Sequence, residues 1–175
     1  MKTRKVTIFS GHTFDVPQCI QRLDHRSTHG WQLRYGGTKL FSDHTNDGSG
    51  AAAALEAATK ELVKRIAKLP APTRLQRAPS ESKSSDLPVG IFGPIVRQRS
   101  GSELRYASLS VLVPRFGATP QRKTVYIGSE NTYSIERYQA ALTKAIEMRE
   151  KAALAYQRAS TKAKRQEAAE LRAGR

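Results

Sequence analysis

Apolar residues recur at spacings of three and four over residues 51–69, where Ala51, Ala54, Leu55, Ala58, Leu62, Ile66 and Leu69 form a single stripe. That period predicts an amphipathic helix of about five turns, started by Asp47 or Ser49 and stopped by Pro70. Farther along, Ala107, Leu109, Val111 and Val113 alternate with Ser108, Ser110 and Leu112, the period of a strand with one buried face. A turn at Gly117-Ala118-Thr119-Pro120 and the run Lys123-Thr124-Val125-Tyr126-Ile127-Gly128 then predict a hairpin. A second helix follows from near Asn131 or Thr132, with Ile135, Tyr138, Leu142 and Ile146 as its apolar stripe.

Laid side by side, the halves share one plan. In the first, extended runs begin at Cys19-Ile20 and at Gly30-Trp31, a short one covers Thr38-Lys39-Leu40-Phe41, and the helix follows. In the second, runs begin at Pro94-Ile95 and at Leu104, a third starts at Lys123, and again a helix follows. The predicted fold class is α+β: two small modules, each a three-stranded antiparallel sheet packed on one helix. Between them, residues 71–88 hold Pro72, Pro79 and Pro88 and the polar run Ser80-Glu81-Ser82-Lys83-Ser84-Ser85-Asp86, which reads as a linker. The first module, with an N-terminal arm, takes residues 1–70, and the second takes residues 89–148. Residues 149–175 carry eight Lys or Arg against three Glu and a thinning stripe. They read as a solvated, basic helical extension that frays.

Charge changes the picture next. The chain has 30 Lys and Arg against 15 acidic residues, a net +15. An excess of that size favours polyanions and supports phosphate binding without deciding the fold. Cys19 stands alone, so no intrachain disulfide and no thiolate zinc cluster can form. No stretch approaches the roughly 18 apolar residues of a membrane span, and no secretory signal follows the basic start. The expected compartment is a bacterial cytoplasm with its nucleoid, or a nucleus, with no membrane partner.

The second half resembles the plant ethylene-response-factor (Apetala-type) DNA-binding domain and its bacterial and phage relatives. The residues that carry this are Val96-Arg97-Gln98-Arg99, then Val125-Tyr126-Ile127-Gly128, then Tyr138-Gln139-Ala140-Ala141-Leu142. A looser version covers about residues 20–69, where Gly30-Trp31 is similar to the start of the family's middle strand. Departures are plain: the second copy has no tryptophan, and the first ends its third strand in Phe41-Ser42-Asp43. The resemblance implies a sheet that lies in the DNA major groove, with arginines and aromatics on its exposed face.

Candidate contact residues follow. Arg97 and Arg99 are two apart on a strand and so share a face, where an arginine fork pairs with guanine or straddles a phosphate. Arg105, Arg122, Lys123 and Tyr126 join them in the second module. In the first, Arg22, Arg26, Arg34 and Lys39 take the corresponding part, although Asp24 and Asp43 are near enough to neutralise two of them. Trp31 either stacks on nucleic acid or anchors the core. His25 and His29 are spaced for a helix but fall on strand and turn, so no metal or other cofactor is expected. Asp15, Asp24, Asp43 and Asp47 match no nuclease pattern, and no nucleophile elbow or phosphate loop appears, so an enzyme is not expected.

Double-stranded DNA binding, by a transcription regulator or nucleoid-associated protein, is the leading expectation. An RNA- or ribosome-associated role is the alternative. Sheets that hold single-stranded RNA present two or three aromatics, and the faces expected here offer one or two. Oligomeric state stays open, since no apolar heptad follows Ile146 to support a long coiled coil.

Overall fold

A computed structural model describes residues 1–98, 100–101 and 103–173. Its elements divide into two units. The first holds Met1–Pro72 together with the chain from Thr161 on, and the second is Thr73–Ser160.

The first unit opens with a hairpin of β1 (Thr3–Thr7) and β2 (Thr13–Pro17), where the sequence suggests only an arm. Its apolar residues are tied to the core: Ile8 and Val16 are buried, and Val6 and Phe14 pack against the same cluster. Next comes an antiparallel sheet in the order β3 (Ile20–His25), β4 (Thr28–Arg34), β5 (Thr38–Ser42), covered on one side by α1 (Ala51–Lys68). The stripe that predicts α1 is the stripe it buries: Ala51, Ala54, Leu55, Ala58, Leu62 and Ile66 meet Ile20, Trp31 and Leu33. Trp31 is 0% exposed, and its indole Nε1 donates a 2.8 Å hydrogen bond to the Ala51 carbonyl. One large side chain thus fills the core and ties the first turn of α1 to the sheet.

The start of α1 differs from expectation. Gly50 occupies the N-cap without a side-chain bond, while Asp47 accepts from the Ser49 amide in the loop before it. The reason is space. A Cβ at Gly50 would lie 1.8 Å from the Asp43 carbonyl oxygen, so no capping side chain fits.

The second unit repeats the plan with β6 (Ile91–Gln98), β7 (Arg105–Val113) and β8 (Gln121–Ser129), antiparallel in that order. Ile91, Leu109, Val111, Val125 and Ile127 form its core with Ala141 and Ala145 of α2 (Ile135–Ala173). Alanines let that helix approach the sheet closely. Ile135, expected in the stripe, is 67% exposed, because it sits in the first turn, ahead of the buried alanines. Ser134 supplies the cap, its Oγ accepting from the Arg137 amide.

The basic tail is a second departure. The helix continues to Ala173, and its last turns belong to the first unit, where Ala168 is buried in the core. There the Ala71 amide donates to Thr161 Oγ1 at 3.1 Å, and the amino terminus donates to the Glu167 carbonyl. Arg149, counted with the solvated tail, is half-buried in the second unit and donates to the Leu112 carbonyl. Charge density alone hid these contacts, because small alanines carry the packing. No described helix is long and apolar enough to cross a membrane.

Candidate nucleic-acid interface

Alternation along β7 sorts the second sheet into two sides. Ala107, Leu109 and Val111 turn toward α2, so Tyr106, Ser108, Ser110 and Leu112 turn away. Residues directly opposite on neighbouring strands share a side. Tyr106 pairs with Arg97, Ser108 with Ile95 and Tyr126, Ser110 with Phe92 and Thr124, and Leu112 with Arg122. The side away from the helix therefore carries three aromatics, Phe92, Tyr106 and Tyr126, with Arg97 near one end and Arg122 near the other.

The rings are accessible. Tyr126 is 56% exposed and Phe92 40%, and the Tyr106 and Tyr126 ring centroids lie 6.4 Å apart. The Arg122 guanidinium is 5.6 Å from the Phe92 ring centre, and the Lys83 ammonium is 5.8 Å from it. Lys83 is held there by the backbone, donating to the carbonyls of Leu87, Pro88 and Ile91. A row of π-faces flanked by cations can stack planar rings while neutralising the phosphates between them.

Other expected contacts fall elsewhere. Arg105 has the opposite parity and forms an ion pair with Glu130. Lys123 pairs with Val111 and so belongs to the helix side of the sheet. Arg99 lies outside the described residues.

The first module departs more sharply. Arg22 pairs with Trp31, on the side of the sheet that faces α1. Its guanidinium is bound by both nearby carboxylates, at 2.7 Å to Asp24 and 2.6 Å to Asp43, and lies 5.0 Å from the Trp31 ring centre. Burial alone would lower the Arg22 pKa, but its hydrogen bonds to Asp43 and Asp24 outweigh that and raise it. Burial likewise pushes Asp24 up, yet bonds from Arg22 and His29 hold its carboxyl below the usual range. His29 Nδ1 is 2.9 Å from Asp24, and its ring packs on Phe9 at 4.4 Å. Arg22 is therefore committed to the fold, and so is the buried Trp31. Neither lies on the side of the sheet away from α1.

Lys39 pairs with Leu33 and lies over the Phe41 ring at 5.0 Å, again on the helix side. Arg26 sits in the β3–β4 turn at φ 50°. Only Arg34 of this set lies on the side away from α1, pairing there with Thr38 and donating to Gln32 at 2.6 Å. On the described strands that side otherwise holds no Lys, Arg, Asp or Glu, and carries Gln21, Leu23, His25, Gln32 and Leu40. The two modules share a fold plan but not a charged face.

Among the described residues no three His, Cys, Asp or Glu side chains are grouped to hold a metal ion. Phe92 and Tyr106 are members of the aromatic face that sequence reasoning passed over. Tyr106 shares parity with Ser108 and Ser110, a legible signal. Phe92 precedes an irregularity between Phe92 and Ile95 that breaks the strand's period. No family model, no curated protein and no solved structure matches the chain.

Proposed function

We propose that this protein binds nucleic acid through the open side of the β6–β7–β8 sheet. Unpaired bases stack on Phe92, Tyr106 and Tyr126, and Arg97 and Arg122 meet the phosphates. One observation carries the reading: three aromatics and two arginines share the side of a sheet whose other side is closed by a helix. A net charge of +15 supports it by drawing polyanions to the surface. The aromatic count favours single strands over duplexes, since duplex bases keep their π-faces stacked on one another.

A second reading is duplex DNA with this sheet in the major groove, as in a transcription regulator or nucleoid-associated protein of a bacterial cytoplasm or a nucleus. It rests on Arg97 and Arg122 sharing one side, from which guanidinium forks reach guanine edges. Competition among a single-stranded RNA, a single-stranded DNA and a duplex of the same sequence, at two salt concentrations, separates the readings. Preferential loss of label to the single strands is the expected result. Preference for the duplex replaces stacking by groove binding, and indifference to all three removes the interface.

A further inference from the structure

On the helix side of the second sheet, near the start of α2, a cavity of about 400 Å³ opens to solvent. Its walls include Pro94, Val96, Ala107 and Tyr133, with Arg105 and Glu130 also lining it. Two of the wall residues are apolar surface that the fold does not use: Val96 is 60% exposed and Tyr133 46%. Yet Tyr133 is firmly placed. Its amide donates to the Ser129 carbonyl at 2.8 Å, and the Ser129 amide donates to Thr132 Oγ1 at 2.9 Å. Gly128 lies so close beneath that a Cβ there would come within 2.9 Å of the Tyr133 Cα and amide nitrogen. The fold thus pins the backbone of an exposed aromatic beside an open, mostly apolar cavity.

The polar lining is equally specific. The ion pair joins Arg105 Nε to Glu130 Oε1. The Glu130 amide also donates to the Arg105 carbonyl at 3.1 Å, which fixes the two residues together. Glu130 Oε2 and the two terminal nitrogens of Arg105 have no hydrogen-bond partner among the described residues. A carboxylate beside a guanidinium offers acceptors next to donors. Guanine is the base whose pairing edge supplies the complement: adjacent N1–H and N2–H donors for a carboxylate, and O6 for a guanidinium. Adenine would turn its N1 lone pair toward the carboxylate. Cytosine offers one donor position followed by two acceptors, and uracil a single donor between two acceptors, so neither presents two adjacent donors.

We infer that this cavity takes one unpaired guanine, stacked against Tyr133 and read by Glu130 and Arg105. The inference rests on the single-strand reading above and adds a base preference to it. Tyr106 also lines the cavity while its ring neighbours Tyr126, so a strand leaving the stacking face reaches the cavity at this end of the sheet. Sequence-tolerant stacking would supply general affinity, and the carboxylate would supply selectivity.

The test uses the full chain and nine-nucleotide thymidine strands with one central guanine, adenine or cytosine. Hydrogen bonds to a charged group lead one to expect the guanine strand to bind roughly tenfold or more tighter than the others. Glu130→Gln removes that preference, bringing the guanine strand to the affinity of the adenine and cytosine strands. Tyr133→Ala weakens the guanine strand most. Both residues are exposed, so the variants keep the wild-type thermal midpoint. Tyr126→Ala, on the other side of the sheet, weakens every strand but preserves the guanine preference. Equal binding of all strands by the wild type overturns the guanine site and leaves the stacking reading intact. So does a preference that survives Glu130→Gln. If no strand binds, the stacking reading fails and the guanine site fails with it.

Discussion

The most consequential residue is Arg22, which charge counting assigns to a partner and geometry assigns to the core. Its bidentate bonds to the buried Asp43 and its contact with the Trp31 face make it a half-buried cation with matched anions. Removing one member of such a set strands the others. Arg22→Ala should therefore cost the first unit on the order of 3–5 kcal/mol of stability. Arg97→Ala, on an exposed side chain, should leave stability unchanged and weaken nucleic-acid binding; thermal unfolding and a binding titration check the pair. The acid limb follows from Asp24. Its folded pKa lies below its unfolded value of about 3.9, so its contribution is present above that pH and is lost as pH falls through the lower, folded value. Asp24→Asn should flatten the dependence of the thermal midpoint on pH below about 4, and an unchanged slope there would contradict this assignment.

At the scale of elements, α2 carries the strongest claim, because its last turns complete the first unit. Ala168 is buried among Ile20, Leu62 and their neighbours, and the helix takes hydrogen bonds from Ala71 and the amino terminus. Truncation after Ser160 should destabilise α1 and β3–β5 while β6–β8 keep their protection, as read by amide hydrogen exchange. Equal protection of α1 in the truncated and full chains would contradict it. Much of this level was legible in the sequence. The stripe over residues 51–69 and the alternation at Ala107, Leu109 and Val111 mark the two cores because burial imposes those periods. What escaped was packing by small residues. Ala141, Ala145 and Ala168 look neutral in a stripe of larger side chains, and only close helix approach reveals them. Site residues escaped for a related reason. Strand parity separates Arg97 and Arg122 from Arg105 and Lys123, and the irregularity at Phe92/Ile95 hides that Phe92 shares a side with Arg97.

For the molecule as a whole, the central claim is that the open side of the second sheet binds single-stranded nucleic acid by combining stacking with charge. These two contributions respond differently to salt. Phosphate neutralisation gives a log–log slope of about −0.7 per phosphate on a single strand, whereas stacking shifts affinity without changing the slope. The decisive measurement is a salt titration of binding to a single strand by the wild type, Tyr126→Ala and Arg122→Ala. The account predicts that Tyr126→Ala lowers affinity by about 1–3 kcal/mol at every salt concentration, giving a parallel line. Arg122→Ala should make the slope shallower by about 0.7. A Tyr126→Ala line that superimposes on the wild type, with Arg122→Ala equally without effect, would show that this side of the sheet does not meet nucleic acid.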